Sequence, residues 1–96
     1  MENQFEKASE KVLVLLRNAR NIATVRQNRR VAREVLHALS LYVQGTGFPC
    51  EPDIFENLST SITDKTTPAI IEEFDKVEND LLNSFHSSSV KKQIIL

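Results

Sequence analysis

Four arginines, Arg26, Arg29, Arg30 and Arg33, are followed one turn later by His37. At about 100° per residue these five positions share an arc of roughly 100° on one helical face. Val31, Ala32, Val35, Leu36, Leu39, Tyr42 and Val43 fall on the opposite side. The pattern predicts an amphipathic helix whose polar face is almost entirely cationic. Guanidinium groups present planar forks of donors that suit carboxylate and phosphate. Such a face therefore fits an acidic protein surface or the backbone of a nucleic acid. It also fits intramolecular pairing. The halves of the chain differ in charge: residues 1–48 carry eight Lys/Arg against four Asp/Glu, and residues 49–96 carry four against nine.

The nucleic-acid alternative has little else in its favour. No aromatic residues interleave with the arginines, no nucleic-acid motif accompanies them, and the sequence pI is about 6.1. His37 reads as a surface histidine at the end of the cationic row, and His86 as one placed near a helix end.

Catalytic constellations are not apparent. Gly45-Thr46-Gly47 lacks the Lys-Ser/Thr of a phosphate loop. Cys50 stands alone, so it can form neither an internal disulfide nor a thiolate-rich metal site. Two histidines 49 positions apart, with no third ligand at metal spacing, suggest no metal. The expectation is a protein with no catalytic residues, no metal, no cofactor and no small-molecule substrate. Glu78 is unusual because it projects into the apolar arc of its helix. It needs a partner, such as an arginine of the second helix, or an exit to water at the edge of an interface.

The elements that must position these residues are helical. Two glycines and three prolines in 96 residues, with 41% hydrophobic and 26% charged residues, describe one small globular domain of the all-α class. The first helix opens at Asn3, with Glu6 as its capping-box partner. Phe5, Ala8, Val12, Leu15, Ala19 and Ile22 recur at 3-4-3-4-3 spacing along it. Leu13 and Val14 lie off that stripe and are candidates for an apolar contact with a second chain. Continuing the seam would bury Arg26, Arg29 and Arg33. The helix is therefore expected to break near Ala23 and restart at about Val25, with Thr24 and Gln27 as a capping box. The competing reading is one rod from Gln4 to Gln44, hidden only by dimerisation.

The second helix is expected to end at Gln44, with Gly45 in the left-handed position after it. Pro52 fits the first turn of a third helix, faced by Ile54, Phe55, Leu58 and Ile62 and closed by residues 63–66. Thr67 and Pro68 open a fourth, with Ile70, Ile71, Phe74, Val77, Leu81, Leu82 and Phe85 on a wide stripe. Ser87-Ser88-Ser89 is expected to fray its end. This gives a helical domain over 1–86 and a short flexible or docked tail over 87–96, whose Ile94-Ile95-Leu96 could add to a partner's sheet edge.

The fold expected is a compact bundle of three to four helices, with dimerisation as a way to complete it. The function expected is a non-catalytic protein–protein interaction module: a subunit, adaptor or regulator. Its partner would have an acidic surface or be a second copy. A small nucleic-acid-binding or transcription-regulating protein is the alternative. The longest apolar run, Val12–Leu16, is too short to span a membrane, and the polar N-terminus is unlike a signal peptide. A cytoplasmic or nuclear location is expected.

Overall fold

A computed structural model describes residues 4–46 and 50–95, with side chains over 9–46 and 50–84. It contains four helices and, among the described residues, no strand: α1 (Gln4–Thr24), α2 (Arg29–Thr46), α3 (Asp53–Ser61) and α4 (Thr67–Ile95). The all-α bundle expected from the periodicities is the fold. No helix among the described residues is long and apolar enough to cross a membrane.

The chain does break between the first two helices, but later than expected. Thr24 is the last residue of α1, and its hydroxyl donates to the carbonyl of Arg20 at 2.8 Å, so it does not cap α2. The turn is made at Gln27, whose φ of 54° is left-handed. That reversal lets the Asn28 N–H reach back to the Ile22 carbonyl at 2.9 Å. Asn28 is the cap of α2: its side-chain carbonyl accepts from the Val31 N–H at 3.2 Å. Gly or Asn usually takes such a left-handed position, which is why no residue signal announced the turn. The hairpin excludes the uninterrupted rod. It also removes Arg26 from the second helix, so the row of five becomes a row of four.

Three other boundaries move. Helix α2 continues through Gly45 to Thr46, where a Cβ on Gly45 would meet open space. Pro52 occupies the N-cap position of α3 instead of its first turn, and Asp53 and Glu56 follow at the helix's positive end. Thr67 opens α4, and the Ile70 N–H bonds the Thr66 carbonyl at 2.9 Å, one residue ahead of the cap expected. The fourth helix then runs on through Ser87–Ser89 to Ile95. Serine is only a mid-ranked helix former, and no Gly or Pro interrupts this stretch, so three serines do not end it. Ile94 and Ile95 are therefore helical in this structure. Leu96 and the N-terminal capping pair around Asn3 lie outside the described residues, as do the side chains of Phe5, Ala8, Phe85 and His86.

Helix α1 lies between α2 and α4 and runs antiparallel to both, while α3 packs mainly on α2. The core is one cluster. Val12, Leu16, Ala19 and Ala23 come from α1, and Ala32, Leu36, Leu39 and Val43 from α2. Phe55, Leu58 and Ile62 come from the α3 segment, and Ile70, Phe74, Val77 and Leu81 from α4. The buried row of α1 thus has 4-3-4 spacing through Leu16. Leu15 and Ile22, central to the expected stripe, are only half-buried.

Candidate interaction surfaces

The cationic face of α2 is turned toward α3. The Arg29 guanidinium donates to the Thr63 carbonyl at 3.1 Å, satisfying a backbone acceptor just past α3. One helical turn on, Arg33 Nε donates to the Ser59 hydroxyl at 3.4 Å. A further turn places His37 Nδ1 2.6 Å from Glu56 Oε2, with the carboxylate accepting. The steps on α2 are four residues and those on α3 are three or four, so the contacts form a ladder along one antiparallel seam. Arg30 points outward, with only a long 3.7 Å ion pair to Glu34 on its own helix. Arg30, Arg33 and His37 border an open cleft of about 410 Å³ that also contains Glu34, Glu56 and Ser59. The cleft carries both signs of charge. Arg26, in the turn, is exposed and makes no side-chain bond among the described residues.

The α1–α4 seam is closed by two ion pairs, one of them at Glu78. Arg17 donates to Glu78 through Nη2 at 2.9 Å and through Nε at 3.5 Å. Arg20 Nη1 lies 3.0 Å from Asp75 Oδ1. Glu78 therefore has its arginine, but on α1 and not on α2. The Glu78 side chain is 19% exposed, so the two-pronged contact offsets a real loss of hydration. Hydrogen bonding to Glu78, and then its charge, push the already high Arg17 pKa further up. A signal was present: Arg17/Arg20 and Asp75/Glu78 are both pairs three residues apart, as antiparallel neighbours require.

The two apolar candidates separate. Leu13 is half-buried and packs against the core, whereas Val14 is 53% exposed on the outer side of α1. Neighbours of Val14 on its own helix, Glu10, Lys11, Arg17 and Asn18, are polar, so it forms no extended patch. Ile71 and Leu82, expected within the α4 stripe, are each 40% exposed at its margin.

An open, partly apolar surface lies between α1 and α2, on the side away from the cationic ladder. A groove of about 550 Å³ is lined by Leu15, Ile22, Val25 and Val35, with Asn18, Asn21 and Arg26 as its polar members. Val25 is 78% exposed. Lys11, Leu15, Asn18 and Ile22 form one 4-3-4 row on α1, and Val31, Val35, Ala38 and Tyr42 another on α2. Neither row contains an acid. Lys11 Nζ sits over the Tyr42 ring, 5.1 Å from its centroid, at one end. Arg26 stands at the other.

Cys50 is half-buried beside the core, and burial, followed by the charge of Glu51, pushes its thiol pKa above the usual range. This is the environment of an inert thiol. Among the described residues no group of three His, Cys, Asp or Glu side chains could hold a metal ion. Comparison of the chain with protein-family models, with curated proteins and with solved structures finds no match to any of them.

Proposed function

We propose that this protein is a non-catalytic helical interaction module, acting as a subunit, adaptor or regulator inside the cell. The observation that carries this reading is the acid-free apolar groove between α1 and α2. Its walls, Leu15, Ile22, Val25 and Val35, are held in place by fully buried neighbours in the same two helices, Leu16, Ala19 and Leu36. A rigid, partly apolar concavity with a few polar groups is the usual form of a helix-receiving surface.

The nucleic-acid reading has weaker support. Arg26 leaves the helical row, Arg29 and Arg33 bond α3, and His37 pairs with Glu56. Tracking a phosphate backbone would have to break that ladder or proceed through Arg26 and Arg30 alone.

Affinity purification of the full chain from its native host, with and without nuclease, tests the reading. The comparison protein is Val25→Asp, which alters the groove at its most exposed apolar side chain and leaves the core intact. Nuclease-resistant partners that are lost with Val25→Asp are the expected result. Recovery that collapses with nuclease and ignores Val25→Asp would overturn it.

A further inference from the structure

We propose that the α1–α2 groove receives an amphipathic helix of a different protein, one whose apolar stripe is flanked by carboxylates. The inference rests on the interaction-module reading above and names the chemistry of the partner.

Shape supplies the first argument. Two antiparallel helices present parallel ridges with a valley between them, and a third helix packs into such a valley. From Leu15 to Val25 the valley is about 15 Å long at 1.5 Å per residue, or nearly three turns. An incoming helix with apolar residues at i, i+4, i+7 and i+11, about 16 Å from first to last, spans that length.

Charge supplies the second. Arg26 lines the groove beside Val25, Lys11 stands over Tyr42 one turn beyond Leu15 on the same row of α1, and the lining has no acid. The Arg26 guanidinium has no bonding partner among the described residues, unlike Arg17, Arg20, Arg29 and Arg33. A carboxylate on the incoming helix would meet it at the end of the apolar contact. The side-chain amides of Asn18 and Asn21 add donors and acceptors on the wall between.

The same charges argue against a second copy of this chain. A two-fold pairing through the groove would set Lys11 and Arg26 against each other or against themselves, with no acid between them. Like-charge juxtaposition at an interface is unfavourable.

The test is a display library of helical peptides screened against the full chain. The peptides carry Leu, Ile or Val at i, i+4, i+7 and i+11, and Glu, Gln or Lys at the flanking positions. Selection should enrich Glu at the flanks. A synthetic winner should bind at least about tenfold more tightly than its twin with Lys in place of Glu, and Arg26→Glu should abolish or invert that preference. Amide resonances that shift on binding should map to α1, the turn and α2, and Val25→Asp should remove binding. Winners without acidic bias, a preference unchanged by Arg26→Glu, shifts on α3 or α4, or failure to enrich any helix would each overturn the proposal. Sedimentation of the chain alone completes the test. A dimer dispersed by Val25→Asp would make a second copy the occupant, overturning the acidic helix while leaving the interaction-module reading in place. A nuclease-sensitive capture indifferent to Val25→Asp is the separate result that removes the broader reading.

Discussion

The two seams of α1 are finished by different chemistry. Toward α4, Arg17 and Arg20 reach across to Glu78 and Asp75, and the charges of the two helices cancel in antiparallel register. Toward the outer edge of α2, one cation covers Tyr42 and the remaining apolar wall is left without a bridge. The α2–α3 seam resembles the first, since Arg29, Arg33 and His37 all find acceptors on the shorter helix or the turn after it. A row of cations is therefore part of the scaffold where acceptors face it. An apolar row with no charge facing it is the surface available to something else.

The largest effect that can sharpen this contrast comes from two adjacent residues of α2. Leu36 is fully buried in the core, and Val35 lines the groove. Leu36→Ala should destabilise by about 2–5 kcal/mol in denaturant titration, because it leaves a cavity. Val35→Ala should cost about 1 kcal/mol or less, because its side chain is only partly removed from water. Equal losses would show that the groove wall is core, and the comparison would fail.

Next in size are the bridged seams. Arg17→Ala should cost about 1 kcal/mol, at the upper end for a partly exposed pair, since it strands the carboxylate of Glu78. A double-mutant cycle with Glu78→Gln should recover most of the loss as coupling energy. Arg29→Glu and Arg33→Glu should each lower the melting temperature, whereas Arg26→Glu and Arg30→Glu should leave it nearly unchanged. Uniform behaviour of the four arginines would restore the single cationic face inferred from spacing.

A smaller effect is expected at the turn that separates the seams. Gln27→Gly should stabilise by about 1 kcal/mol, because glycine adopts φ of 54° without the Cβ clash. Asn28→Ala should cost about 1 kcal/mol through loss of the cap. Destabilisation by Gln27→Gly would mean that the left-handed turn is held by something other than backbone geometry.

Least affected is Cys50, where stability at neutral pH should not depend on ionisation. Its thiol pKa is raised, so alkylation of the native protein should be slow at neutral pH. The unfolded chain, with an ordinary thiol, should react faster. Above an ordinary thiol pKa the unfolded state gains thiolate before the native state does, so any contribution of Cys50 to stability is lost as pH rises. Rapid labelling of native protein at pH 7 would contradict the buried environment.

Helix number and most of the core were legible because burial leaves a local imprint. Leu36, Leu39, Val43, Phe55, Leu58, Phe74 and Leu81 all recur at steps a single helix repeats, whatever it packs against. Helix ends were less legible. A left-handed glutamine gave no signal, and three serines suggested an end that the backbone does not make. The candidate surface was the least legible part. Spacing placed the arginines together and set Leu13 and Val14 off the stripe, but it could not say what stands opposite. That depends on where α1 stops, on which side α3 returns, and on the antiparallel register that brings residue 17 to residue 78. Local sequence determined which faces are apolar or charged. Only tertiary packing decided which of those faces meet, because pairing across a seam depends on turn geometry and register between segments distant in the chain.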